Sequence, residues 1–193
     1  MLNFDVPNTL PLVLLSVAAV VGGVDMIYYH LYKFKLYKQP SARGEMITHL
    51  ARDLIMGIGV FIFVRYTPKG GWFYFVGFLL VLDLINSVVD VLMESKSRAP
   101  LGGLPRGEYL VHILGTFIVG TITMAYFILF WDFKDQPTTL EALRPDALPT
   151  WISLQGHATA AGAFFFALVE GGLYVWSICT TKSARAVQAQ AFS

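Results

Sequence analysis

Residues 43–66 read RGEMITHLARDLIMGIGVFIFVRY, a polar head carrying Glu45, His49, Arg52 and Asp53 that gives way to apolar residues from Leu54 to Val64. The apolar segment, placed at 46–66, has the length of about 20 residues that a helix needs to cross a bilayer core. Four more segments share this character, near 10–32, 72–94, 109–131 and 151–179. Composition agrees: 55% of the 193 residues are hydrophobic and only 14% charged, with a mean hydropathy of +0.59. A soluble domain carries about a quarter charged residues, so the chain reads as an all-α integral membrane protein. The formal net charge of +1 excludes a basic nucleic-acid binder. A lone cysteine, Cys179, excludes an internal disulfide framework and any cysteine-ligated zinc or iron–sulfur site. The first segment does not read as a cleavable signal, because MLNFDVPN lacks a basic region and the apolar run after it is too long.

Basic residues set the expected orientation. Lys33, Lys35, Lys38 and Arg43 fall in one loop, Lys96, Arg98 and Arg106 in another, and Lys182 and Arg185 in the tail. With Arg52, these make ten of the fourteen Lys and Arg on one side, against Arg65, Lys69, Lys134 and Arg144 on the other. The excess of positive charge marks the cytoplasmic side, so the amino terminus is expected outside and the tail, 180–193, inside. Trp72, Trp131 and Trp151 fall at the outer ends of spans, where indoles favour the interface. A multi-pass protein of the plasma (inner) membrane follows.

The motif at Arg43 recurs. Val24-Asp25 precedes Arg43-Gly44-Glu45 and His49, and Val89-Asp90 precedes Arg106-Gly107-Glu108 and His112. Gly57 and Gly120 each lie eight positions beyond their histidine, and the Asp-to-Glu separations, 20 and 18, differ only within the loops. The matched residues are the polar ones in an apolar background, where such residues are rare. Each copy starts on an inward-running span and ends on an outward-running one. The first four spans therefore read as a direct repeat of two hairpins, about 10–66 and 72–131, forming a four-helix bundle with a fifth helix at 151–179. The whole chain is one membrane domain.

On a helix of about 1.5 Å rise per residue, Glu45 and His49 lie roughly 6 Å apart on one face. Asp53 extends that face, and Glu108 and His112 repeat it. Asp83, Asp90 and Glu94 form a stripe on the third span, Asp25 shares a face with Tyr29 on the first, and Glu170 of the fifth lies at similar depth. A carboxylate near the bilayer centre costs about 2.5–3.5 kcal/mol or more, so Asp25, Glu45, Asp90 and Glu108 need compensation. Protonation, loop arginines folded inward or bound divalent metal would each supply it. The set resembles the di-iron and di-manganese carboxylate bundles, in which lone acids on two helices face acid–histidine pairs on two others. It departs from them in using E-x-x-x-H rather than E-x-x-H, and Asp rather than Glu as the lone acid. The resemblance implies two divalent ions, iron or manganese, held by Asp25, Glu45, His49, Asp90, Glu94, Glu108 and His112. Tyr29, Asp53 and Glu170 would stand behind them, and Glu94 could instead orient a histidine.

The corresponding function is a membrane-embedded oxygen- or redox-active oxidoreductase acting on a lipid-soluble substrate such as a quinone or acyl chain. Three other classes compete. A divalent-cation or proton transporter would continue the path outward through Asp83 and His157, and with five spans would need a homo-oligomer. Haem ligation by His49 and His112 would place carboxylates against an apolar macrocycle. An accessory subunit of a larger membrane complex would use the acids for partner contacts. Several residues have plainer readings: His30 at the headgroups, Tyr28, Tyr32 and Tyr37 in an aromatic belt, and Asp83 with Asn86 as a hydrogen-bonded pair. Arg43 and Arg106 are expected to pair with Glu45 and Glu108, which also suit helix N-termini. Gly22, Gly23, Gly57, Gly59, Gly115 and Gly120 suggest close helix packing. Phe164–Phe166 reads as packing or lipid-facing surface, and Cys179 as inert.

Overall fold

The structure, a computed structural model, describes residues 6–191, with side chains from 6 to 180. Met1–Asp5 and the side chains of Lys182 and Arg185 lie outside the described residues. Helix α1 (Thr9–Val24) continues without a break into a π-helical segment, Asp25–Lys33. It is followed by α2 (Arg43–Arg65), strand β1 (Tyr66–Lys69), α3 (Gly71–Arg98), α4 (Arg106–Phe130), strand β2 (Thr139–Ala142) and α5 (Thr150–Ala191). Five helices are long and apolar enough to cross a membrane, in the segments expected from hydropathy.

α2 packs against α3, α3 against α4, and α4 against α1, while α5 lies along α2 and also touches α1. The first four helices thus make a bundle with α5 laid along its α1–α2 side. One end is filled by apolar residues including Leu12, Val60, Phe63, Phe73, Tyr126 and Phe130. Tyr126 stacks between Phe73 and Phe130, with ring centroids 5.3 and 4.9 Å apart, and its hydroxyl donates to the Phe73 carbonyl at 2.8 Å. That bond satisfies a phenol that would otherwise be orphaned in an apolar core.

The same end is closed by a short antiparallel ribbon, absent from the sequence reading, that pairs Tyr66 with Ala142 and Lys69 with Thr139. Gly70 turns the chain from β1 into α3 at φ +54°, and a Cβ there would lie 2.5 Å from the Gln136 carbonyl oxygen, so only glycine fits. Buried Asn8 donates to the carbonyls of Phe63 and Tyr66 at 2.9 and 2.7 Å, tying the start of α1 to the end of α2. It satisfies carbonyls that a helix C-terminus leaves without partners.

The glycines divide into two kinds. Gly57 accepts the Phe164 ring, where a Cβ would come within 2.9 Å. At Gly22, Gly23, Gly59, Gly115 and Gly120 nothing lies within 4 Å of a Cβ position, so these do not mark close helix contacts as expected. The phenylalanine run serves both expected roles, since Phe165 is exposed while Phe164 packs on Gly57.

Candidate metal centre

At the opposite end of the bundle from the aromatic core, the polar residues of all four helices converge. Asp25, Glu45, His49, Asp90, Glu94, Glu108 and His112 are all buried. Each aspartate faces the histidine of the other repeat copy. His112 Nε2 lies 2.8 Å from Asp25 Oδ2, and His49 Nε2 lies 3.4 Å from Asp90 Oδ2. The reciprocity follows from the packing, since α1 lies against α4 and α3 against α2. Thr48 donates to Asp90 Oδ1 at 2.6 Å, fixing that carboxylate. Glu94 contacts His112 Nδ1, on the ring nitrogen away from Asp25, the arrangement by which an outer carboxylate orients a metal-ligating imidazole.

His30 corrects the sequence reading. It is buried, not at the headgroups, and its Nε2 lies 3.5 Å from Asp25, 3.6 Å from Glu45 and 3.5 Å from Glu108. In an α-helix, residues five apart point about 140° away from each other. Over Asp25–Lys33 the backbone is π-helical, with hydrogen bonds from i to i+5, which brings Asp25 and His30 onto one face. The His30 ring sits 4.3 Å from that of His49 and 6.4 Å from that of His112.

Arg98 is the second residue that the sequence reading misplaced. α3 runs one turn past Glu94, which carries Arg98 out of the loop and onto the Asp90–Glu94 face. Fully buried, it holds both repeat glutamates: Nη2 lies 2.6 Å from Glu45 Oε1 and also contacts Glu108, and Nη1 donates to Glu45 Oε2 at 3.0 Å. Ser97 also donates to Glu45. The expected pairings through Arg43 and Arg106 are not made. Arg43 reaches across to Ser177 of α5, donating to its carbonyl at 2.7 Å, and Arg106 is exposed.

Other expected positions sort by distance from this centre. Glu170 is buried, and its Oε2 makes no hydrogen bond among the described residues. Asp53 is half-buried, and Tyr29 is half-buried with its hydroxyl against Gly107. Asp83 and Asn86 do not pair: Asp83 faces Arg52 at 3.5 Å, and Asn86 donates to the Thr48 carbonyl at 2.8 Å. His157 is exposed and bonds the Ser153 carbonyl at 2.7 Å, with the apolar core between it and the centre.

Two groups of buried side chains could hold a metal ion, Asp25–His30–Glu108–His112 and His30–Glu45–His49, each offering ligand atoms within 4.8 Å of one another. The acids here outnumber the arginines, an excess that a bound cation or protonation of His30, His49 and His112 would offset. Against Asp25, Glu45, Asp90, Glu94 and Glu108 stand two arginines, Arg98 and Arg52, and Arg52 also faces Asp83. Asp25 Oδ1 and Glu108 Oε2 are buried and have no hydrogen-bond partner among the described residues. Carboxylate oxygens beside imidazole nitrogens make a donor set that could hold a metal ion. Compared with known protein families, curated proteins and solved structures, the chain matches none.

Proposed function

We propose that this protein is a membrane-embedded dinuclear carboxylate–histidine metalloprotein, an oxygen- or redox-active oxidoreductase acting on a lipid-soluble substrate. The observation that carries it is the convergence of two buried donor groups on His30. One ion would take Asp25, Glu108 and His112, the other Glu45, His49 and Asp90, with His30 serving one of them. Imidazole–carboxylate pairing accounts for His112, whose Nε2 stands 2.8 Å from Asp25, within the range of about 2.7–2.9 Å for a charged N–H···O⁻ bond. It accounts less well for His49 Nε2, which stands 3.4 Å from Asp90 and makes no hydrogen bond among the described residues. His30 Nε2 stands at least 3.5 Å from each carboxylate and 3.3 Å from Arg98 Nη2.

In this reading the ions supply redox equivalents for dioxygen chemistry. The chain's own part is to hold them, to set the His112 ring through Glu94, and to neutralise Glu45 and Glu108 through Arg98. The chain spans the plasma membrane with the centre in its cytoplasmic half. Transport is less well supported, because the packed Phe63–Tyr126–Phe130 core lies across the outward path.

Reaction with dioxygen tests the redox part. Protein loaded with ferrous iron without oxygen should consume dioxygen on mixing, with absorbance changes much faster than free ferrous iron in the same detergent. Oxidation no faster than that control would reject an oxygen-active centre.

A further inference from the structure

A cavity of about 160 Å³ opens from the centre, with Asp25, His49, Asp90 and His112 at one end and a largely apolar wall beyond them. We infer that it is a binding chamber for a compact uncharged amphiphile: an apolar body about one ring in size, with a single hydroxyl head. As the chamber of a substrate this rests on the metal-centre reading; as a binding site it stands alone.

Its size is close to that of a 150 Å³ apolar cavity able to hold benzene. His49 and His112 border it at the centre, while Gly22, Gly115 and Gly162 line it along α1, α4 and α5. Nothing lies within 4 Å of a Cβ position at any of these three glycines, so they leave room in the chamber. Gly22 is exposed and lines the cavity, so the chamber opens at α1.

The polar anchor is Arg52 with Asp83, both in the chamber wall. Asp83 is 6% exposed, and its Oδ1 stands 3.5 Å from Arg52 Nε, with neither atom completing a hydrogen bond. Arg52 is held by Ser87, to which its Nη2 donates at 3.0 Å. Both atoms lie just behind the chamber surface, and a turn of the part-exposed Arg52 side chain would let a ligand hydroxyl accept from Nε and donate to Asp83 Oδ1. Ligand sites commonly have this form, an apolar wall with a few converging polar groups.

The test uses 4-fluorophenol and fluorine NMR on the full chain in lipid nanodiscs, with metal content measured on every preparation. Wild-type protein should bind it saturably above empty nanodiscs, and fluorobenzene, lacking the hydroxyl, at least about tenfold more weakly. Gly115→Leu and Gly162→Leu should each weaken binding at least about tenfold by filling the chamber, with an unchanged unfolding temperature as the control for folding. Absence of saturable binding, or undiminished affinity in both leucine variants, would overturn the inference. Metal without phenol binding would sink the chamber alone; phenol binding without metal would sustain the chamber and sink the metal centre.

Discussion

Arg98 places a guanidinium, fully buried, between two carboxylates that the sequence puts on different helices. Removing one partner from a buried charge pair costs about 3–5 kcal/mol, because the remaining charge is stranded. Arg98→Met should therefore lower the unfolding temperature sharply or abolish folded yield, whereas Arg106→Met at an exposed site should stay within about 0.5 kcal/mol. Thermal unfolding of the two variants side by side checks this, and equal effects would contradict it. Arg98 was legible in part, since it lies four residues beyond Glu94 on the stripe already read from Asp83. Ending the third span where hydropathy falls left it in the loop. His30 was not legible, because its position depends on a π-helical register that a 3.6-residue period cannot express.

Among the elements, the exchange of partners between hairpins is the feature to explain. Asp25, at the start of the π-helical segment after α1, meets His112 on α4, and Asp90 on α3 meets His49 on α2. At the two R-G-E motifs the glycines face the ends of flexible side chains, Gly107 the Tyr29 hydroxyl and Gly44 the Met93 methyl. The two R-G-E-x-x-x-H motifs were visible in the sequence because polar residues stand out in apolar helices. The β1–β2 ribbon was not, since four-residue strands between helices carry too little alternation to register. Asn8 fastens that end, and losing it leaves the Phe63 and Tyr66 carbonyls without their side-chain donor. Asn8→Ala should destabilise by about 1–3 kcal/mol while leaving metal content unchanged. Reduced metal at full stability would place Asn8 in the centre's support instead.

Over the whole molecule, apolar and polar regions separate along the bundle: aromatic packing and a strand ribbon at one end, acids and histidines at the other. Hydropathy made the five helices plain, because a bilayer-length apolar run has few alternative readings. The expected orientation puts the polar end at the cytoplasm. In a Cys179→Ser background, a membrane-impermeant maleimide should label Asp146→Cys in intact cells and leave Lys96→Cys unlabelled until the cells are opened. The reverse pattern would invert the protein in the membrane.

Metal stoichiometry bears most directly on the centre. Elemental mass spectrometry on gently purified wild-type protein should find about two iron or manganese ions per chain, as in carboxylate-bridged four-helix bundles. His49→Ala and His112→Ala should each lose about one of them, one from each donor group. No bound metal in the wild-type protein after supplementation would contradict the metal centre and leave the buried acids and histidines as a proton-sharing network.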